Sequence, residues 1–165
     1  MAGRRVLVLI GSETDLVKVE AAITVLSQHG IDSELRVASA HRTPERVVEL
    51  AMTARDRGFG VIIAAAGLAA ALPGVVAAHT TLPVVALPLA AGTLGGMDAL
   101  LACVQMPPGI PVATVGIDSA RNAGLLAVQI LALGEPALAA KLSKGRRAMI
   151  RAIEESDGRI GGGKR

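Results

Sequence analysis

The segment whose residue types are best suited to catalysis is Ser39-Ala40-His41-Arg42-Thr43-Pro44, which follows a predicted strand and opens a predicted helix. An imidazole changes charge near neutral pH, so His41 is a candidate general acid or base. Arg42 carries a permanent positive charge and a planar fork of donors that suits a phosphate. The other interpretation is that both are ordinary surface residues at a helix start. A cation is unfavourable there because the helix dipole is positive at that end, which favours a separate task for Arg42.

A second loop, Gly11-Ser12-Glu13-Thr14-Asp15, follows the first predicted strand and also opens a helix. Gly11 permits a tight turn, and the hydroxyls of Ser12 and Thr14, with the N–H groups of the helix start, could bind an anion. The alternative is that Thr14 or Asp15 only caps the helix. The loop alone supports both interpretations equally. It is not a P-loop, because the pattern Gly-x-x-x-x-Gly-Lys-Ser/Thr is absent from it.

A third loop, residues 64–74, has no polar side chain and consists mainly of alanine. Its residues Ala66, Gly67 and Leu72 can contribute only backbone N–H groups, apolar contact and space. That suits a flat heterocycle lying against the backbone, and it also suits simple packing. The loop lies within residues 61–97, which contain no Asp, Glu, Lys or Arg. An uncharged apolar run of that length is typical of a membrane span, but its glycines and prolines predict two buried strands around a buried helix.

The remaining candidates carry weaker signals. His29 and His79 each end a predicted helix, where a cation suits the helix dipole, although His79 could alternatively face the site. Cys103 lies in an apolar stretch and is predicted to be a core residue, since a single cysteine forms no internal disulfide. No two histidines have metal-ligand spacing, and one cysteine does not make a zinc site, so we expect no metal.

Strand and helix patterns alternate along the chain. Buried strands are predicted at residues 5–10, 33–38, 60–65, 82–87 and 110–117. Helices are predicted at residues 15–29, 43–57, 69–80, 96–105, 120–133 and 136–155. Apolar strands that are each followed by a helix indicate a parallel sheet covered on both faces. Five such strands predict a flavodoxin-like, three-layer, doubly wound α/β fold with an added C-terminal helix, because a parallel barrel needs eight.

This fold class also predicts where a ligand binds. Ligands of open parallel sheets bind beyond the carboxyl ends of the strands. That rule brings the three loops to one edge of the sheet and adds a fourth loop, Pro88–Gly96. We therefore expect one site built from these loops, with Thr43 capping and Pro44 opening the helix that follows His41.

Length and composition restrict the class of protein. With 165 residues we expect one domain over residues 1–157 and a flexible, glycine-rich basic tail over residues 158–165. A hydrophobic content of 52% and a charged content of 19% exclude intrinsic disorder. The net charge of +3 comes from dispersed basic residues, and aromatic residues make up 1%, so nucleic-acid binding is disfavoured. The apolar run near the start is too short for a signal peptide, so we expect a cytoplasmic protein.

Taken together, the loop motifs resemble those of the PurE family of purine biosynthesis. In chain order they are Gly11-Ser12-x-Thr14-Asp15, Ser39-Ala40-His41-Arg42-Thr43-Pro44, Leu72-Pro73-Gly74, Val104-Gln105-Met106-Pro107 and Asn122-Ala123-Gly124-Leu125-Leu126-Ala127. The resemblance covers about residues 5–135, and the second motif followed by the fourth is highly specific. It implies a flavodoxin-like fold, a homo-octamer and an enzyme that needs neither a metal nor an organic cofactor.

The resemblance also implies a reaction. One class of the family converts N5-carboxyaminoimidazole ribonucleotide to 4-carboxyaminoimidazole ribonucleotide, and the other carboxylates aminoimidazole ribonucleotide directly with carbon dioxide. The family's catalytic histidine falls on His41, which would act first as an acid and then as a base. The substrate-binding positions fall on Ser12, Thr14, Asp15, Ser39, Ala40, Arg42, Ala66, Gly67 and Leu72. Of these, Arg42 and Thr14 would hold the 5′-phosphate, and Asp15 would accept hydrogen bonds from the ribose.

The sequence departs from the family pattern at the third loop, which usually reads Gly-Gly-Ala-Ala-His-Leu-Pro-Gly. Leu68 replaces the second glycine, and Ala71 replaces a second histidine near the substrate. The loop from Asp118 to Arg121 is also shorter than usual. The direct carboxylases typically have lysine after the catalytic histidine, so Arg42 favours the mutase.

Three alternatives to the mutase stay open. The first is the direct carboxylase. The second is a nucleotide-binding homologue that has lost its chemistry, which Ala71 motivates and the intact pair of His41 and Arg42 argues against. The third is an FMN protein of the same fold. It is disfavoured because flavin sites usually stack an aromatic ring, and the chain has only Phe59.

Overall fold

A five-stranded sheet forms the centre of the fold. The computed structural model describes residues 5–161. Its strands are β1 (Arg5–Ile10), β2 (Ser33–Val37), β3 (Phe59–Gly67), β4 (Val84–Leu89) and β5 (Ala113–Thr114). All neighbouring strands are parallel, in the order β2-β1-β3-β4-β5. This is the strand order of a flavodoxin-like fold, so the predicted fold class is confirmed.

Helices cover both faces of the sheet. They are α1 (Leu16–Gln28), α2 (Pro44–Thr53), α3 (Ala71–Ala78), α4 (Met97–Val104), α5 (Ala120–Ala132) and α6 (Pro136–Gly161), and a 3-10 turn over Glu13–Asp15 precedes α1. Alternate side chains of β1 enter two separate cores. Leu7 and Leu9 pack with residues of α2, α3 and α4. Val6, Val8 and Ile10 pack with residues of α1 and α5, so both faces of the strand are buried.

Small residues let α1 and α5 approach closely. A Cβ atom built on Gly124 of α5 would lie 2.8 Å from the carbonyl oxygen of Ala22 and 3.0 Å from the Cβ of Val25. Contacts this short leave no room for a side chain at position 124. A core with few aromatic residues therefore allows the backbones of these two helices to pack close together.

The single phenylalanine anchors the amino end of the sheet. Phe59 is buried, and the guanidinium carbons of Arg5 and Arg57 lie 4.5 and 5.1 Å from its ring centre. Both arginines also pair with Glu34, which Arg36 contacts as well. Hydrogen bonds from Arg36 and Arg57 lower the pKa of Glu34 to about 2. Phe59 is the first residue of β3, so this charged cluster lies at the opposite end of the strand from the candidate loops.

Three elements differ clearly from the sequence predictions. α2 ends at Thr53 rather than at residue 57. β5 contains only Ala113–Thr114 rather than residues 110–117. It is an edge strand, and Pro111 has no N–H to give to the sheet. α6 continues to Gly161, so residues 158–161 are helical and do not belong to a flexible tail. Helix propagation tolerates an isolated glycine such as Gly158 at a cost of about 1 kcal/mol. The rest of the predicted tail, residues 162–165, lies outside the described residues.

The uncharged stretch over residues 61–97 forms the centre of the domain. It contains most of β3 and all of α3 and β4, as predicted. Within residues 5–161, no helix has both the length and the hydropathy needed to cross a membrane. Cys103 is buried in the same hydrophobic core as residues of α2 and α3, which confirms its predicted packing role. Burial raises the pKa of its thiol to about 11.

Candidate active site

The loops that follow β1, β2 and β3 meet at the carboxyl edge of the sheet. These strands are neighbours in the order β2-β1-β3, which places their loops side by side. The loops enclose an open cavity of about 540 Å³, to which Ala91 from the loop after β4 also contributes. The cavity is lined by every site residue predicted from the sequence: Ser12, Thr14, Asp15, Ser39, Ala40, His41, Arg42, Ala66, Gly67 and Leu72. The structure thus brings these residues together, and their individual roles stay predictions.

The loop after β1 is closed by its own side chains. Ser12 is the N-cap, because its Oγ accepts a hydrogen bond from the Thr14 N–H at 3.4 Å. The Asp15 carboxylate in turn accepts one from the Ser12 N–H at 3.1 Å, which completes a capping box. Some of the N–H groups expected to bind an anion are therefore occupied. Asp15 closes this turn from the third position of the capping box, but as the N-cap of α1 it makes no side-chain capping hydrogen bond. The exposed Thr14 hydroxyl donates to Ser12 Oγ at 3.0 Å, so two hydroxyls lie together at the cavity.

Arg42 joins the first two loops. Its Nη2 atom donates to the carbonyl oxygen of Gly11 at 2.8 Å, and its Nε atom donates to Ser39 Oγ at 3.3 Å. These contacts explain a cation at the start of α2, because the guanidinium reaches across to the neighbouring loop. Within residues 5–161, Nη1 of this exposed side chain makes no hydrogen bond. The guanidinium can therefore offer further donors to an anion in the cavity.

The loop after β2 is folded into a tight turn by Ser39 and Thr43. Thr43 Oγ1 accepts a hydrogen bond from the Ser39 N–H at 2.9 Å and donates one to the Ser39 carbonyl oxygen at 3.2 Å. Thr43 is the N-cap residue of α2 and Pro44 opens the helix, as predicted, but the Thr43 side chain makes no capping hydrogen bond because its hydroxyl is engaged within the turn. His41 lies exposed in this turn, and its ring makes no hydrogen bond to any residue from 5 to 161. Its imidazole is thus available to exchange a proton with a ligand.

The loop after β3 forms an apolar wall with an unusual backbone. Leu68 and Ala70 have φ angles of +55° and +40°, in the left-handed region that glycine tolerates best. The glycine that the PurE family usually has in place of Leu68 suits that conformation. Gly67 is required for a different reason, because a Cβ atom there would lie 2.9 Å from the Cβ of Ala91. The loops after β3 and β4 are therefore in close contact along one side of the cavity.

Comparison with known proteins decides the family. A family model described as AIR carboxylase matches residues 5–152. The chain belongs to this family. N5-carboxyaminoimidazole ribonucleotide mutase of Pyrococcus abyssi is 54% identical over 144 residues, which cover 87% of this chain and 83% of that protein. Phosphoribosylaminoimidazole carboxylase of Schizosaccharomyces pombe is 50% identical over 135 residues, which cover 82% of this chain and 24% of that protein.

A solved structure agrees with membership in the AIR carboxylase family. The crystal structure of Treponema denticola PurE matches this fold with a TM-score of 0.85 at 30% sequence identity. The match covers 94% of this chain and 97% of that chain. The resemblance predicted from the loop motifs is thereby confirmed.

The structure also answers whether His79 replaces the histidine that this AIR carboxylase family member lacks at Ala71. His79 lines a separate cavity of about 1010 Å³ at the amino end of β4, and its Nδ1 atom lies 2.8 Å from the Val75 carbonyl oxygen. His29 makes the same kind of contact at the end of α1. Both histidines are therefore helix-end residues, as predicted. His41 provides the only imidazole among the described residues that line the site cavity.

The site residues predicted from the sequence omit six residues that line the cavity: Gly11, Leu68, Ala69, Ala70, Ala71 and Ala91. Ala91 lies in the fourth loop, which the strand-end rule identified, but its residue type carries no chemical signal. The contact that places it in the wall is visible only in the structure, where Gly67 makes room for it. No group of three or more His, Cys, Asp and Glu side chains within residues 5–161 is arranged to hold a metal ion.

Proposed function

We propose that this chain converts N5-carboxyaminoimidazole ribonucleotide to 4-carboxyaminoimidazole ribonucleotide in purine biosynthesis. The observation that carries the proposal is that His41 and Arg42 share one cavity with Ser12 and Asp15. The catalytic and nucleotide-binding residues of the PurE family fall on these positions. The Pyrococcus abyssi relative that is 54% identical carries the name of this mutase.

The polar side of the cavity suits the 5′-phosphate and the ribose. The Arg42 guanidinium already bridges two loops, so it can bind a phosphate without first being ordered. The Thr14 hydroxyl, on the neighbouring loop, can donate to the same phosphate by rotating away from Ser12 Oγ. Asp15 accepts from the Ser12 N–H through Oδ2, which leaves Oδ1 to accept from the ribose hydroxyls.

The apolar side of the cavity suits the aminoimidazole ring. Ala66, Gly67 and Leu72 present backbone and apolar side chains, and Ala40 adds a further apolar residue to the lining. A flat ring can lie close to such a wall, because no bulky polar side chain intervenes. With the phosphate on Arg42, the ring would lie beside the adjacent residue, His41.

His41 would carry out both proton transfers. The imidazolium donates a proton to the carbamate nitrogen as the bond from that nitrogen to the carboxyl group breaks, which gives aminoimidazole ribonucleotide and carbon dioxide. Carbon 4 of the ring then attacks carbon dioxide to form the new carbon–carbon bond. The neutral imidazole takes the proton that leaves carbon 4, which restores the aromatic ring and the imidazolium. An imidazole suits both steps, since its two protonation states are both accessible near neutral pH.

The proposed reaction requires carbon dioxide to stay beside the ring between the two steps. Retention in a closed site replaces a bimolecular encounter with a step of high effective concentration. The contact between Gly67 and Ala91 seals one side of the cavity. Separation of the loops after β3 and β4 would open the wall on this side.

Direct carboxylation of aminoimidazole ribonucleotide is the second candidate. The Schizosaccharomyces pombe relative is named phosphoribosylaminoimidazole carboxylase, and the family model also carries a carboxylase name. That reaction uses only the second half of the steps above, with His41 taking the proton from carbon 4. Arg42 favours the mutase, because the direct carboxylases typically have lysine after the catalytic histidine.

We further propose a cytoplasmic homo-octamer, as the family resemblance implies. Exposed apolar side chains on and before α4 support self-association: Leu94, Met97, Leu101 and Val104. The proposed chemistry uses side chains of the protein and assigns no role to a metal or an organic cofactor.

The test compares two substrates and two histidines. Purified protein is assayed with N5-carboxyaminoimidazole ribonucleotide at low bicarbonate, and separately with aminoimidazole ribonucleotide and excess bicarbonate. We expect turnover in the first assay, with a loss of at least about 100-fold in His41→Asn, as is typical for a positioned acid–base group. His79→Asn is the matched control and should keep full activity, because His79 lies at the other end of the sheet. Turnover only in the second assay would favour the direct carboxylase. No turnover in either assay would indicate a nucleotide-binding protein without catalytic activity.

A further inference from the structure

Two charged side chains clamp one peptide of the loop after β4. Lys18 Nζ donates a hydrogen bond to the carbonyl oxygen of Ala90. Asp118 Oδ1 accepts a hydrogen bond from the Ala90 N–H at 3.0 Å. The same carboxylate oxygen lies 3.5 Å from Lys18 Nζ, so the two side chains also form an ion pair. Both backbone polar groups of Ala90 are thus held by side chains from α1 and from the loop after β5.

The surroundings of Asp118 keep this clamp in place. Asp118 has a φ of +52°, and its N–H donates to the Pro88 carbonyl oxygen at 2.9 Å. Its own carbonyl oxygen accepts from the Ala120 N–H at 2.9 Å. Aspartate tolerates this left-handed backbone better than most residues, and the two hydrogen bonds fix the conformation. The shortened loop that begins at Asp118 therefore has a defined geometry with its carboxylate on Ala90.

The clamped peptide leads directly into the wall of the site cavity. Ala91 follows Ala90, lines the cavity, and packs so closely on Gly67 that no side chain fits there. Lys18 belongs to the first turn of α1, directly after the Ser12–Asp15 turn on another side of the cavity. Its bond to Ala90 therefore ties two sides of the cavity to each other.

We propose that Lys18 and Asp118 are positioning residues, which hold Ala91 against Gly67 and so retain carbon dioxide during the reaction proposed above. The inference rests on that proposed function. Neither residue lines the cavity, and an ion pair this exposed adds little to stability by itself. Their effect is transmitted through the backbone of Ala90. If the wall loosens, carbon dioxide escapes before carbon 4 attacks it, and the substrate ends as aminoimidazole ribonucleotide and free carbon dioxide.

The test measures how the substrate partitions between these two outcomes. Full-length Lys18→Met is given N5-carboxyaminoimidazole ribonucleotide, and both products are followed after subtraction of the decarboxylation without enzyme. We expect the ratio of aminoimidazole ribonucleotide to the 4-carboxy product to increase about tenfold, because a misplacement of about 1 Å can cost about 100-fold and this substitution shifts the wall by less. A merely structural role would lower the amount of active enzyme and leave this ratio unchanged.

Three further variants make the result specific. Asp118→Asn keeps an acceptor for the Ala90 N–H and a side chain that tolerates the left-handed backbone, but it loses the charge. We expect it to give an intermediate ratio, and it decides the question if Lys18→Met fails to fold. Lys18→Arg keeps a cationic donor and should restore most of the wild-type ratio. Lys141→Met is the matched control, because Lys141 also donates to a backbone carbonyl, that of His29, but outside the site cavity.

Each outcome bears on the inference. Wild-type turnover and a wild-type product ratio in Lys18→Met would overturn it and leave the proposed function standing. Equal increases in Lys18→Met and Lys141→Met would also overturn it, because the effect would not come from the clamp. A wild-type protein without mutase turnover would refute the proposed function and this inference with it.

Discussion

Leu68 shows how a single residue can depart from its family and keep the family's backbone. Its φ of +55° belongs to a region where a side chain crowds the backbone, at a cost of about 1–2 kcal/mol. The side chain lies against Gly92, where a Cβ atom would come within 2.8 Å of Leu68 Cδ2. The conformation is therefore enforced by the contact between two loops of the site and not by the residue's own preference.

This strain can be measured by comparing two substitutions at the same position. We expect Leu68→Gly to exceed Leu68→Ala by about 1 kcal/mol in free energy of unfolding, because both lose the leucine side chain and only glycine relieves the left-handed strain. At an ordinary position the order reverses, since glycine costs about 0.5–1 kcal/mol relative to alanine. Ala69→Gly, next to Leu68 but without a positive φ, is the control and should destabilise the protein. Urea unfolding measures all three, and a more stable Leu68→Ala would show that the strain is absent in solution.

At the scale of elements, the residue pattern predicts those helices and strands whose formation depends mainly on nearby residues. The helices have apolar residues at helical spacing and the inner strands are apolar throughout, so their existence could be inferred from the sequence. The short β5 could not, because its length depends on pairing with β4 at the edge of the sheet. The engagement of Thr43 within its turn was also missed, since a hydroxyl before a helix is equally compatible with a cap. The predicted boundaries and side-chain cap are therefore wrong where tertiary contacts override the local preference of the residues.

The contact between α1 and α5 gives a quantitative test at this scale. We expect Gly124→Ala to destabilise the protein by about 1–3 kcal/mol, because the new methyl group would overlap the backbone of α1 near Ala22. Gly145→Ala is the matched control in α6, where the new methyl group would meet no atom within 4 Å apart from the backbone of its own helix. It should stabilise the protein by about 0.5–1 kcal/mol through helix propensity alone. Opposite signs in urea unfolding would confirm the close approach, and equal signs would contradict it.

At the scale of the whole molecule, strand order decides which loops share a site. The sequence supports a parallel sheet and a site at its carboxyl edge, and these two inferences are enough to predict that His41 and Arg42 lie near Ser12. It could not show that Arg42 would reach the Gly11 carbonyl, because that contact joins residues 31 positions apart. The sequence does not predict the clamp formed by Lys18 and Asp118 for the same reason. Contacts between loops depend on the completed sheet, and neither residue type signals them in advance.

The exposed face of α4 offers a test of the proposed assembly. Met97, Leu101 and Val104 follow helical spacing, so they lie on one face, and each is about half exposed. If copies of the chain associate through this face, Leu101→Lys would bury an unpaired charge and disfavour association. We expect this variant to have a lower mass by light scattering with an unchanged circular dichroism spectrum. Met52→Lys, which adds the same charge at an exposed apolar residue of α2, should keep the wild-type mass. Mutase turnover should fall with the mass, because Ala91 of the cavity wall lies in the loop that leads into α4, and an unchanged mass in Leu101→Lys would exclude this face as the interface.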